Sequence, residues 1–313
     1  MREYLISRND SGQRADRFLR KAAQDLPYSV LQKALRTKNV KLNGARCLPE
    51  QYLNEGDVLR LYVREPETAA SEKPFAPKGD VRLDVVYEDE HLLIINKPAG
   101  LASQPDENEP ERNLLMYIRG YLYKKGEWSP EAENSFAPAL CHRLDRGTEG
   151  LVMAAKTAEA LRVMNEKIRL REVHKSYLAL VRGRPQPERG TWEDFLFKDS
   201  KQNTVYIRKD RSRGAKTAVM RYRVLESRGG LSLLECLLVT GRTHQIRVQC
   251  AGRGFPLVGD GKYGRAADDR ALGYTSQALC AYKIELDFKT PAGGLEYLRG
   301  RVFIIEKEFA NFG

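Results

Sequence analysis

A chain of 313 residues is longer than one minimal domain and predicts two, one with a sizeable core. Its 53 Lys and Arg against 42 Asp and Glu give a formal charge of +11, while 42% hydrophobic residues exclude a wholly disordered polybasic chain. Positive excess on a folded protein points to a polyanionic partner, nucleic acid ahead of an anionic membrane surface.

The opening MREYLISRND has no apolar stretch of the secretory-signal kind. Residues 11–63 read as a small unit. Ala15, Phe18, Leu19, Ala22 and Leu26 follow helical spacing, with Arg14, Arg17 and Lys21 off that stripe. A second helix is predicted from Ser29, with Ser29 and Gln32 as a capping box and Val30, Leu31, Ala34 and Leu35 inward. Lys33, Arg36 and Lys38 stay outside. Val40 to Leu42 alternates like a strand and meets the tight-turn pair Asn43-Gly44; Val58 to Val63 is a second alternating strand. Proline-rich, aperiodic residues 65–80 predict a linker.

Beyond the linker, Val85 to Tyr87 and Leu92 to Ile95 predict strands around the acidic turn Glu88-Asp89-Glu90. Thr157 to Leu170 predicts a helix with Leu161, Met164 and Ile168 on one face. Tyr177–Val181, Arg221–Leu225 and Leu231–Val239 predict strands, and Thr243–Ala251 a short helix stopped by Gly252. Strands and helices do not alternate regularly, so the expected class is α+β with a mixed sheet. The longest apolar run, Leu231 to Val239, is broken by Ser232 and Glu235 and falls far short of the ~20 residues that span a bilayer. The scattered Cys47, Cys141, Cys236, Cys250 and Cys280 include no C-x-x-C pair; they read as buried core thiols in a reducing cytoplasm.

Four polar clusters could carry chemistry. In Cys141 to Thr157, CHRLDRGTEGLVMAAKT, Asp145 sits between Arg143 and Arg146 beside His142. A carboxylate so placed is expected to stay ionised, which suits a nucleophile or general base; a salt-bridged loop is the plain alternative. TGRTHQIRVQ, Thr240 to Gln249, brings arginines and His244 to an apolar segment, where a lone histidine commonly bonds backbone. Lys175-Ser176-Tyr177 opens a strand on which a tyrosine is usually core. Asn96-Lys97-Pro98-Ala99-Gly100 follows a strand and is otherwise an ordinary turn.

Together these strings resemble the RluA-type pseudouridine synthases. HRLDRGTEGL is similar to their signature loop, with NKPAGL upstream and KSYLALVRG, TGRTHQIRVQ and GDGKYG downstream, in the family order and over nearly all of 81–310. The front unit, RADRFL…KNVKLNG…LNEGDVLRLYV, resembles the small S4-like RNA-binding domain. The combination is most similar to the ribosomal RNA enzymes of the RluC and RluD kind. The resemblance implies an S4-like domain at 1–64, a linker at 65–80 and a synthase domain at 81–313 with a largely antiparallel mixed sheet. One position departs from the pattern: Glu149 stands where the family has serine or glycine, and is harmless if it meets Arg146 or Lys156.

The implied reaction isomerises uridine in RNA to pseudouridine, with no redox change and no incoming group, hence no cofactor or metal. By resemblance Asp145 is the essential carboxylate, attacking the sugar carbon or abstracting a sugar proton. Arg247 is its ion-pair partner, Tyr177 stacks on the uracil, and Ile246 closes the apolar side. Arg143 fills the place of the flipped base. Further RNA contacts are expected from Arg146, His142, Arg242, Lys97, Arg36 and Lys38. The expected partner is RNA, ribosomal ahead of transfer RNA, for a cytoplasmic monomer with no membrane role. A non-catalytic RNA-binding protein would be expected to have lost Asp145, Tyr177 or Arg247. A hydrolase using His244 or His142 lacks the G-x-S-x-G turn.

Overall fold

The computed structural model describes residues 1–64, 82–106, 110–211, 214–264, 269–270, 272–310 and 312; the linker expected at 65–80 lies outside them. At the front, β1 (Arg2–Leu5), α1 (Ala15–Ala22), α2 (Tyr28–Arg36), β2 (Val40–Leu42), β3 (Ala45–Arg46) and β4 (Val58–Leu61) build a four-stranded sheet in the order β1-β4-β2-β3. Phe18, Leu19, Leu31, Leu35, Leu59 and Leu61 fill one core beneath it. Asn43 and Gly44 both take positive φ, 50° and 83°, as a two-residue hairpin turn requires. The Ser29–Gln32 capping box does not form. Pro27 caps the helix, whose fixed φ suits a helix start, so α2 begins at Tyr28 and no side chain caps it. Gln32 instead donates to the Tyr28 hydroxyl.

The rest of the chain folds around a large sheet. Its strands are β5 (Val85–Glu88), β6 (Leu92–Lys97), β7 (Ala139–Leu140), β8 (Glu149–Ala155), β9 (Val173–Arg182), β10 (Arg189–Asp199), β11 (Thr204–Arg208), β12 (Lys216–Arg228), β13 (Leu231–Leu238), β14 (Leu279–Leu286) and β15 (Val302–Ile304). The order is β11-β10-β12-β13-β9-β14-β8-β6-β5, with β15 on β14 and β7 on β8. The β8–β14 pair is parallel; the other pairs described are antiparallel. This is the mixed sheet expected from the lack of regular alternation.

Three α-helices whose bounds lie among the described residues cover it. α3 (Leu114–Lys124) sets Leu114, Ile118 and Leu122 on the face that also holds Tyr177 and Ile246. α4 (Ala158–Arg169) sets Ala160 and Met164 on the other face, against Leu92, Ile94 and Met153. Covered on both sides, β6 and β8 read as unbroken apolar runs. α5 (Gln245–Ala251) is the third. It starts later than expected because His244 takes a left-handed φ of 53°, which ends the preceding turn. α3 is an element beyond those expected from the sequence, although Asn113 caps it by accepting the Met116 N–H at 3.0 Å.

The front sheet is tied to the large unit by hydrogen bonds centred on fully buried Asp10. Its carboxylate accepts from Ser135 Oγ at 2.6 Å and Asn134 Nδ2 at 2.7 Å. Asn9 donates to Glu133 at 2.6 Å and accepts from the Ala158 N–H at 3.0 Å, at the first turn of α4.

Candidate active site

Asp145 lies on the tight loop between β7 and β8, and the loop is fixed from beneath. Ser103 Oγ donates to the Leu144 carbonyl at 2.7 Å and accepts its N–H at 3.1 Å. Lys97, fully buried, donates its ammonium to the carbonyls of Pro98 (2.9 Å), Leu101 (2.8 Å) and Arg146 (3.2 Å). Burial pulls the Lys97 pKa down to about 8, against the opposing charges of Asp145 and Glu149. Two glycines let the loop approach its neighbours. A Cβ at Gly147 would meet Gln277 Oε1 at 2.4 Å, and one at Gly150 (φ 111°) the Ala281 carbonyl oxygen at 2.4 Å.

α5 supplies the facing wall. The Gln245 side chain accepts from Thr240 Oγ1 (3.0 Å) and the Arg242 N–H (3.1 Å), and donates to the Val219 carbonyl (3.1 Å), which holds the TGRT turn. The next turn of sequence projects Ile246 and Arg247 to the cleft. Arg247 bridges two carboxylates. Its Nε and Nη2 reach Asp260 at 2.7 and 2.8 Å, and its Nη1 donates to Asp145 Oδ2 at 2.9 Å. Burial works against the Arg247 charge, yet the hydrogen bond and charge of Asp260, with the charge of Asp145, hold its pKa above the ordinary value. Asp260 is sealed, and also accepts the N–H groups of Lys262 (2.9 Å) and Tyr263 (3.1 Å). Burial tends to raise its carboxyl pKa; Arg247 and these bonds outweigh that and lower it.

Asp145 differs from Asp260 in being reachable: its side chain is 27% exposed, at a cleft lined by Tyr177, Ile246, Leu279, Arg143 and Arg242. Burial, with the nearby Asp145 charge, raises the Tyr177 pKa and keeps the phenol protonated. His244 Nε2 lies 3.8 Å from Asp145, and its Nδ1 is 2.8 Å from the Tyr263 hydroxyl. Burial lowers the His244 pKa, so the imidazole is neutral at neutral pH. Among the described residues, no group of three His, Cys, Asp or Glu side chains converges as a metal site would need.

The structure thus brings Asp145, Tyr177, Arg247, Ile246, Arg143 and Arg242 to one cleft. It does not bring the rest of the expected set there. Arg146, next to Asp145 in sequence, turns away from it and pairs with Asp106, whereas Arg143 stays on the cleft wall and reaches Gln104 at 3.4 Å. Arg36 and Lys38 are exposed on the front sheet's helical side. Two expectations are corrected. Lys97 and His142 are buried behind the loop and cannot touch RNA: the lysine is spent on carbonyls, and His142 Nε2 accepts the Met153 N–H at 3.3 Å. Glu149 meets neither Arg146 nor Lys156 but Lys307, from the C-terminal segment, at 2.6 Å. Asp260 and Tyr263 were visible only as letters of the GDGKYG string; the signal for a role was Asp260's place in a glycine-flanked turn.

The family model for RNA pseudouridylate synthase matches residues 91–252, which span the Asp145 loop and α5. The chain belongs to this family. It is 35% identical over 296 residues to the ribosomal large subunit pseudouridine synthase C of Escherichia coli (strain K12), covering 92% of this chain and 89% of that one. The synthase C of Vibrio cholerae is 34% identical over 296 residues, 92% of this chain and 88% of that one. Among solved structures, human RNA pseudouridylate synthase domain containing 4 shares the fold, with a TM-score of 0.55 at 24% identity over 71% of this chain and 87% of that one. This pseudouridine synthase is therefore an enzyme that isomerises uridine in RNA, of the RluA type, as the sequence resemblance implied. No helix among the described residues is long and apolar enough to cross a membrane.

Proposed function

We propose that Asp145 is the catalytic carboxylate of this synthase and that its substrate is large-subunit ribosomal RNA. One observation carries the reading: an accessible carboxylate held at 2.9 Å by an arginine that a second, sealed carboxylate locks in place. In the isomerisation the bond from the sugar to N1 breaks and one from the sugar to C5 forms; a proton leaves C5 and one is gained at N1. Asp145 serves either as nucleophile at the sugar carbon or as base toward a sugar proton, and Arg247 keeps it aimed. Tyr177 stacks on the uracil, worth ~1–3 kcal/mol by the usual base–aromatic scale. Ile246 closes the apolar wall, Arg143 occupies the gap left by the flipped nucleotide, and Arg146 and Arg242 take phosphate.

Residues 1–64 act as an S4-like RNA-binding module, with 65–80 as its linker and 81–313 as the catalytic domain. Support comes from its separate core and from the exposed Arg17, Lys21, Lys33, Arg36 and Lys38. The ribosomal rather than transfer RNA substrate rests on the synthase C relatives, similar over most of both chains. A cytoplasmic monomer fits ribosomal RNA and five buried free cysteines. The test uses purified enzyme and an unmodified large-subunit ribosomal RNA transcript. Wild type forms pseudouridine; Asp145→Asn forms none, while its RNA affinity stays within severalfold. Undiminished turnover by Asp145→Asn would reject the assignment.

A further inference from the structure

Strands β10 to β12 bury alternate residues on one face only, where Val248 of α5 packs on Leu196, Val205 and Ala218. The opposite face is built from their neighbours. Arg189 and Thr191 of β10 register with Arg223 and Arg221 of β12, which register with Glu235 and Leu237 of β13. These six line a groove of about 410 Å³. Farther along the same face of β10, Phe195 and Phe197 register with Arg208 and Tyr206 of the edge strand β11. The Arg208 guanidinium lies over the Phe197 ring at 5.2 Å and that of Arg211 over Phe195 at 5.7 Å.

Arg189, Arg208, Arg211, Arg221 and Arg223 are all exposed. Only Arg223 has an ion-pair partner among the described residues, Glu235 at 2.5 Å. Glu193 and Asp199 of β10, and Glu226 of β12, which registers with Leu233 two residues from Glu235, lie on the same face. The face points away from the Asp145 cleft: Cys236, between Glu235 and Leu237, registers with Tyr177 and packs in the core on that side.

We propose that this face is a second RNA-binding surface, which takes the phosphates and unpaired bases of a substrate segment remote from the reacting uridine. The inference rests on the reading of the substrate as a long structured RNA. The chemistry favours RNA over an acidic protein surface. Phosphate matches the guanidinium groups of Arg189 and Arg221, which have no ion-pair partner among the described residues, and the rings of Phe195 and Phe197, each under a guanidinium, offer faces on which a base can stack. A uridine cannot reach Asp145 from here, so the surface contributes to affinity and not to the chemical step.

The test is a triple variant of the full chain, Arg189→Gln, Arg208→Gln and Arg221→Gln, all exposed positions outside the cleft. Binding to a large-subunit ribosomal RNA transcript and to a short stem-loop carrying the modified uridine is measured across salt, with pseudouridine formation at saturating RNA. On the long transcript, binding weakens at least about tenfold and the salt slope drops by about 3, roughly one for each phosphate that no longer meets a guanidinium. Binding to the stem-loop and the saturated rate stay at wild-type values. Unchanged affinity and slope on the long transcript, with wild type active, overturn this inference alone. Loss of binding to pre-ribosomal particles without loss on naked RNA also overturns it, because the face would then dock on protein. Wild type inactive on every RNA would instead refute the substrate reading beneath it.

Discussion

Two carboxylates share one arginine, and their environments divide the work. Asp260 is sealed, doubly bonded to Arg247 and bonded to two backbone N–H groups, so it anchors the guanidinium; Asp145 takes the remaining arm and keeps an open side. Removing one member of such a buried pair costs ~3–5 kcal/mol, because the other charge is stranded. Asp260→Ala is therefore expected to lose about that much stability in denaturant titration, and to lower kcat more than RNA affinity. An unchanged kcat in the folded variant would show that Asp145 does not depend on how Arg247 is held. His142 gives a pH prediction. Burial, then the charge of Lys175, lowers its pKa well below the ordinary value. The folded state thus binds fewer protons than the unfolded chain below about 6.5. The stability contribution is complete above that pH and falls as pH drops, by up to ~1.4 kcal/mol per unit until the folded-state value is reached. Stability measured at successive pH values from about 7.5 downward should fall more steeply in wild type than in His142→Gln; parallel curves would contradict it.

At the scale of the element, the Asp145 loop is a turn whose shape is imposed by what it touches. Gly150 stands where β8 meets β14, so close that a Cβ would come to 2.4 Å from the Ala281 backbone oxygen, and at a φ only glycine adopts easily. Gly150→Ala should shift the loop and cut pseudouridine formation at least about tenfold, while a control such as Gly229→Ala, also at a positive φ (57°) but with open space around its Cβ site and far from the loop in sequence, keeps activity. Equal activity of both would show that the loop position is not critical. This is also where the sequence is legible only in part. Asp145, Tyr177 and Arg247 stand out because they sit in family strings, and the apolar runs of β6 and β8 because period and length show directly. The direction of side chains is not legible. Arg146 follows Asp145 in sequence, but the turn throws it outward to Asp106, and the cation that matters arrives from α5, a hundred residues on. Lys97 reads as an RNA contact within a family string; only the fold reveals three carbonyls needing a buried donor. Glu149 finds Lys307, a partner no local spacing could indicate.

Over the whole molecule, basic residues stand exposed on the front unit and the open sheet face, and arginines line the cleft rim. Contact with polyanion at several separated places implies binding that falls steeply with salt. The front unit meets the rest through hydrogen bonds to the buried carboxylate of Asp10, the Asn9–Glu133 bond and an exposed Arg8–Glu159 ion pair at 3.5 Å. Deleting residues 1–64 is expected to weaken RNA binding or blur site choice while the remaining sheet, with its own cores, stays folded. Wild-type selectivity in the truncated enzyme would remove the case for a targeting module. The claim beneath all of these is that one exposed carboxylate on the β7–β8 loop makes pseudouridine in RNA. Its most direct measurement is pseudouridine mapping of total RNA from cells lacking the gene, complemented with wild type or Asp145→Asn. The account predicts one or more large-subunit ribosomal RNA positions that lose pseudouridine in the deletion, regain it with wild type and stay uridine with Asp145→Asn. Restoration by Asp145→Asn, or no position that depends on the gene, would contradict it.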